Sequence, residues 1–181
     1  MRALEKLYGR DASRILIGRS ARESTIKPEL SRYRILHFAT HGRFVDTDPM
    51  YSHLVLASNS GDADDGLLEA WEIMNADLRS ELAVLSACET ARGRFNAGEG
   101  LMGMTWALFA AGCPSSVVSE WTVSSASTAQ LMVALHESLL ARGPSPFAKA
   151  DALRAAKLRL LKSQRFAHPF YWSAFVLVGA P

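Results

Sequence analysis

Apolar residues fall along this chain in short runs separated by glycine and proline, and the length of each run sets the element it predicts. Residues 33–39 (Tyr-Arg-Ile-Leu-His-Phe-Ala), 54–57 and 82–86 are dense in large aliphatic side chains and too short for helices, so they read as strands. Ile15-Leu16-Ile17 is a shorter apolar run stopped by Gly18, and residues 21–26 have room for a brief helix before Pro28 ends it. Residues 59–66 (Asn-Ser-Gly-Asp-Ala-Asp-Asp-Gly) form a turn-rich loop, and residues 68–75 carry the apolar spacing of a short helix.

In the second half, Gly93, Gly98, Gly100 and Gly103 lead into a helix over residues 101–111, which Gly112 and Pro114 close in the expected stop order. A strand over residues 116–119 follows. Two long helical patterns, Ser125–Arg142 and residues 146–162, are separated by Gly143-Pro144, and residues 172–178 form a final buried strand. Strands that alternate with helices imply an α/β sandwich around a mostly parallel sheet, and in such folds sites gather at the carboxyl ends of strands.

Composition narrows the class. A chain of 181 residues, 49% apolar and 21% charged, suits one globular domain with a substantial core. The net charge is only +2 and the basic residues are dispersed, which gives no support to nucleic-acid binding. Cys88 and Cys113 do not make a disulfide framework, so a reducing compartment is expected. No apolar stretch reaches the roughly 18 residues of a spanning helix, and residues 1–10 lack the apolar core of a leader. A soluble, cytoplasmic protein with no membrane partner is the expectation.

The chemistry centres on two segments, Phe38-Ala39-Thr40-His41-Gly42 and Leu85-Ser86-Ala87-Cys88-Glu89-Thr90, each delivering one reactive side chain just past a strand end. A thiol becomes a strong nucleophile only as thiolate, which needs a neighbouring base or positive charge, and His41 is the candidate base for Cys88. Their separation, 88 − 41 = 47, and their order agree with caspases, where the histidine lies about 50 residues upstream of the cysteine. The backbone amides of Gly42 and Cys88 are candidates for an oxyanion hole, since glycine lets an amide approach a substrate closely. Small side chains at Ser86 and Ala87 leave room for an extended peptide. Taken alone, the two residues are equally consistent with an inert buried thiol and a satisfied strand-end histidine.

Four blocks carry a resemblance that shifts this balance. They are Leu36-His37-Phe38-Ala39-Thr40-His41-Gly42, Leu85-Ser86-Ala87-Cys88-Glu89-Thr90-Ala91, Gly98-Glu99-Gly100-Leu101, and His168-Pro169-Phe170-Tyr171-Trp172-Ser173-Ala174-Phe175. In that order, over residues 33–179, they resemble the CHAT domain, a family related to caspases and separases and usually attached to tetratricopeptide repeats. The resemblance implies a caspase-like three-layer sandwich with a mostly parallel central sheet, and a peptidase dyad of His41 as general base and Cys88 as nucleophile. It implies a protein or peptide substrate and tetratricopeptide repeats in the full-length protein; no cofactor and no metal are expected from the residues themselves. It also implies that residues 1–181 are the catalytic C-terminal part of a longer domain or protein.

Two departures limit what carries over. Cys88 is followed by Glu89-Thr90 and lacks the caspase signature, so aspartate specificity is not implied. Where relatives tend to place an acidic residue after a Trp-x-Val segment, Trp121-Thr122-Val123 is followed by Ser124-Ser125. Either Glu120 replaces that carboxylate or the side chain before the scissile bond is uncharged. Trp121 is a candidate wall of the same pocket or a core residue.

Other residues point elsewhere. His37 and His41 are an even number apart, and His37 is expected to pack inside the sheet; His53 and Cys113 complete no zinc-ligand spacing. Asp62, Asp64 and Asp65 lack the glycine and terminal glutamate of a calcium loop, and the glycines of residues 93–103 lack a phosphate-cradling pattern. His168, fixed by Pro169, is a rival base expected to serve structure, with Trp172 and Phe175 buried. The functional expectation is a cysteine endopeptidase; the alternatives are a non-catalytic peptide- or protein-binding module and an acyltransferase or amidase using the same dyad.

Overall fold

A computed structural model of the chain describes residues 1–59, 64–86, 88–89, 99–143 and 145–181, with backbone alone at 88–89 and 99–101. In chain order the elements are α1 (Arg2–Tyr8), α2 (Glu23–Ile26), β1 (Ile35–Phe38), β2 (His41–Arg43), β3 (His53–Val55), β4 (Leu67–Glu69) and α3 (Ala70–Met74). They continue with β5 (Leu82–Leu85), β6 (Cys88–Glu89), α4 (Glu99–Ala110), β7 (Ser115–Ser119), α5 (Ser125–Arg142), α6 (Ala148–Leu161) and β8 (Phe175–Gly179).

The larger sheet has the order β1-β5-β7-β8, with β1, β5 and β7 parallel and β8 antiparallel at one edge. Its central strand β5 is apolar on both sides because helices cover both faces. Ala83, Leu85 and Val118 pack with Ile73, Met104, Ala107 and Leu108 of α3 and α4. Leu82, Val84, Val117 and Phe175 face the other way, against Leu131 and Leu135 of α5 and Ala152 and Leu160 of α6. Continuous apolar runs such as Leu82-Ala83-Val84-Leu85 are what doubly covered parallel strands require. The mostly parallel central sheet and its two helical layers are those the chain's pattern implied.

The smaller sheet, β4-β3-β2-β6, is built almost wholly from segments the pattern did not mark as strands. β3 pairs antiparallel with β2 and β4, and β6 runs parallel to β2. Its strands are two or three residues long, below the length at which alternation can be read. Pro28 does not end the helical path begun at α2: it occupies the first turn of a 3-10 segment, Lys27–Arg32, where the missing N–H costs nothing. Ile15-Leu16-Ile17 belongs to no strand, and the final strand starts at Phe175 after a 3-10 turn, Pro169–Tyr171.

The turn from α4 into β7 shows why glycine stands at 112. Its φ is +107°, and a Cβ there would lie 2.5 Å from the Leu78 carbonyl oxygen. Cys113 N–H returns to the Leu108 carbonyl at 2.9 Å and Leu78 N–H to the Ala111 carbonyl at 2.7 Å, which satisfies the helix end and ties it to the strand approach.

Candidate functional site

The site grows out of one register. In the larger sheet Ile35 pairs with Leu82 and Phe38 with Leu85, an offset of 82 − 35 = 47. Both chains then leave the sheet and pair again: His41 lies opposite Cys88 and Gly42 opposite Glu89, again 88 − 41 = 47. The offset extends backwards too, since the Ser80 hydroxyl donates to the Tyr33 carbonyl at 2.7 Å and Glu81 N–H to the Arg34 carbonyl at 2.7 Å. The 47-residue spacing of the two reactive residues is therefore the register of two parallel strands. Neighbouring strands lie about 4.8 Å apart, so the backbones that carry His41 and Cys88 are adjacent.

His41 is exposed and Gly42 buried. Gly42 occupies the middle of β2, paired with Leu54 on one side and Glu89 on the other. Thr40 Oγ1 donates to the Val55 carbonyl, fixing the approach to His41. Because the chain leaves the larger sheet after Phe38, the even separation of His37 and His41 does not place them on one strand face. Residues 87, 90–98 and 144, and Asp62 with 60–63, lie outside the described residues, including Ala87, Thr90, Gly93 and Gly98.

The link between the two sheets is a polar junction. Ser86 N–H and Ser86 Oγ both reach the Phe38 carbonyl, at 3.0 and 3.2 Å. Ser86 Oγ also meets His37 Nε2 at 3.1 Å, His37 Nδ1 meets His136 Nε2 at 3.0 Å, and His136 Nδ1 meets the Tyr8 hydroxyl at 2.8 Å. Burial, and then the neighbouring His136, push the His37 imidazole down to about 3. Burial pushes His136 down to about 4 and raises Tyr8. His37, expected to pack inside the sheet, stands half-buried near the end of β1 as a hydrogen-bonded group. Ser86, expected only to leave room for substrate, makes three polar contacts. His136 and Tyr8 carried no motif; the available signal was that 136 = 132 + 4 puts a histidine on the apolar stripe of Met132 and Leu135.

The segment proposed for specificity leaves the neighbouring strand at the same sheet end, since Leu85 pairs with Val118 of β7. Glu120 N–H donates to the Ala174 carbonyl at 2.9 Å, and Trp121, half-buried, donates from Nε1 to the Phe170 carbonyl at 3.2 Å. Ser124 caps α5, its carbonyl accepting from Thr128 N–H and the Ser127 hydroxyl, each at 2.9 Å, and Ser125 begins the helix, exposed. Lys157 of α6 is lowered by burial, partly offset by the charge of Glu120. The buried Ser119 hydroxyl has no hydrogen-bond partner among the described residues.

The remaining candidates have local partners. His168 accepts the Phe170 N–H at 3.2 Å as the cap of its 3-10 turn, Phe175 is buried, and Trp172 is half-buried. Cys113 is free and buried, its thiol raised by that burial. Asp64 pairs with Lys27 at 3.2 Å and Asp65 accepts the Leu67 N–H at 2.8 Å. Among the described residues no cluster of three metal-ligating side chains occurs, and no helix is long and apolar enough to cross a membrane. A cavity of about 1740 Å³ runs along the open edge of β1; Thr40 lines it and His41 does not.

Helical layers on both faces of a mostly parallel sheet, with a histidine and a cysteine paired just beyond its adjacent strands β1 and β5, define a caspase-like α/β domain. The chain belongs to the CHAT domain family, whose model matches residues 1–180. It is similar to tetratricopeptide repeat protein 28 of mouse, 32% identical over 114 residues, which is 63% of this chain and 4% of that protein. The human protein of the same name is 25% identical over 196 residues, covering 91% of this chain and 8% of the relative. The chain therefore spans less than a tenth of the length of these relatives.

Proposed function

We propose that the domain is a cysteine endopeptidase working through a His41–Cys88 dyad, and that it is the catalytic part of a longer, cytoplasmic protein. The observation that supports this reading is the ladder register that sets His41 opposite Cys88. His41 takes the thiol proton and the thiolate attacks a peptide carbonyl, whose oxygen takes up the negative charge. The amides of Gly42 and Cys88 are the proposed donors to that oxygen. The tetrahedral intermediate expels the amine, which leaves with the proton from the imidazolium. Water then adds to the thioester, with His41 as base, releasing the acid and restoring the thiol.

Glu120, Trp121, Ser124 and Ser125 are the proposed surroundings of the side chain before the scissile bond. Ser124 and Ser125, both exposed where a carboxylate would otherwise stand, favour an uncharged side chain there. In a full-length chain, tetratricopeptide repeats like those for which the relatives are named would recognise the protein substrate.

A second reading, a binding module that keeps the fold without turnover, is favoured by one fact: the relatives are named for their repeats and not for an activity. The pH dependence of Cys88 alkylation, followed by peptide mapping so that Cys113 is scored separately, decides between them. The peptidase reading expects an apparent thiol pKa clearly below the ordinary value of about 8.5, returning to it in His41→Ala. An ordinary value that His41→Ala leaves unchanged supports the binding module.

A further inference from the structure

The junction between the two sheets holds more polar chemistry than strand pairing needs. Ser86 spends both its N–H and its hydroxyl proton on one carbonyl, that of Phe38, at the point where β1 and β5 end together. Behind it stand two imidazoles and a phenol from three separate parts of the chain, in contacts of 3.1, 3.0 and 2.8 Å.

A carbonyl only accepts, and that fixes a direction for the whole series. If the Ser86 hydroxyl donates to Phe38, it accepts from His37 Nε2–H; His37 Nδ1 then accepts from His136 Nε2–H, and His136 Nδ1 accepts from the Tyr8 hydroxyl. This assignment gives every group a partner with both rings neutral, the state burial favours for both. The two ring planes are nearly parallel, 10° apart, and Tyr8 meets His136 edge-on, so each ring is held in orientation as well as in protonation. One end of the series is on α1, the next member on α5, and the other end is two residues before Cys88 and three before His41 at Phe38.

We infer that Tyr8, His136, His37 and Ser86 form a positioning chain that clamps the Phe38 carbonyl and so carries the register of the larger sheet across the break to His41 and Cys88. The inference rests on the dyad reading above. None of the four is a catalytic residue: each acts through the placement of His41 against Cys88. Among the described residues β2 and β6 pair at two positions, both continuing the offset of β1 and β5, and the clamp between the two ladders is what carries that offset across.

The test needs no substrate. Ser86→Ala removes only the hydroxyl, and Tyr8→Phe removes the first donor at the far end; both are checked for an intact fold by thermal unfolding. The apparent pKa of Cys88 alkylation is then measured in each variant, and in each combined with His41→Ala. The expected result is a rise of about one unit in Ser86→Ala, or about tenfold less thiolate at neutral pH, a smaller rise in the same direction in Tyr8→Phe, and no further change from either in the His41→Ala background. A Ser86→Ala protein with an unchanged profile overturns the positioning chain and leaves the dyad standing. Effects that persist undiminished without His41 also overturn it, since they mark ordinary structural support. If His41→Ala itself changes nothing, the dyad fails and the inference with it, an outcome the first two cannot imitate.

Discussion

Two parallel strand pairs follow one another along the same two stretches of chain, and different forces hold them. β1 and β5 pair over four residues inside a larger sheet, between two apolar layers, with Leu82, Ala83, Val84 and Leu85 all buried. Among the described residues β2 and β6 pair at two positions, with His41 and Arg43 exposed. The first pair sets its register by burial, because a one-residue slip would exchange the side chains fitted to the two covering layers, Ala83 and Leu85 on one side and Leu82 and Val84 on the other. The second keeps the same offset of 47 at two pairs of described residues, with Gly42 buried between Leu54 and Glu89. The alignment of His41 with Cys88 thus continues the register of the larger sheet.

The largest expected effect comes from loosening the source of that register. Leu85 is 1% exposed and sits in the cluster shared with α3 and α4. Leu85→Ala should cost about 2–5 kcal/mol in chemical denaturation. Well below its melting temperature, the same variant should also raise the apparent pKa of Cys88 alkylation, since β6 follows β5 after a two-residue link. Lost stability with an unchanged Cys88 profile would show that the smaller sheet sets its own geometry and would break the comparison.

Acid probes the junction between the pairs. His136 is 2% exposed and its ionisation is held down to about 4 by burial. An unfolded histidine binds its proton near 6.5, so between about pH 6.5 and 4 the unfolded chain takes up a proton that the folded chain excludes. Stability therefore falls as pH falls through that window, by roughly 1.4 kcal/mol per pH unit for one excluded proton, and is level above it. His37 adds in the same direction. Denaturant midpoints measured across this range should show the slope, and His136→Leu should flatten it. A midpoint that stays constant down to pH 4.5 would mean that the imidazoles accept protons in place.

The same contrast explains how much of the molecule was legible beforehand. The larger sheet and the long helices were, because doubly buried strands and an 18-residue helix such as Ser125–Arg142 leave long periodic traces. His41 and Cys88 were visible as reactive residues after apolar runs, and their spacing of 47 was a ladder offset in disguise. β2, β4 and β6 were not legible, since two or three residues carry no period and their pairing is imposed by neighbours. Nor was the junction: Tyr8 and His136 are 128 residues apart, and only the folded chain brings them to 2.8 Å.

The smallest effect is expected where the offset is marked by charge alone. Arg34 and Glu81 face each other just before β1 and β5, again 81 − 34 = 47, with Arg34 Nη2 2.8 Å from Glu81 Oε2. They are the ion pair nearest the source of the register, yet their side chains are 74% and 58% exposed. Water and salt screen such a pair, and ordering two long side chains offsets much of its attraction, so Arg34→Ala should cost no more than about 0.2–1 kcal/mol, less at high salt. Cys88 alkylation should be unchanged, because the burial of Leu36 and of Leu82–Leu85 and the buried Ser80 hydroxyl on the Tyr33 carbonyl already fix the same alignment. If instead Arg34→Ala shifts the Cys88 profile as far as Leu85→Ala does, the offset is held by its charged entrance and not by its core, and burial loses its place as the origin of the site's register.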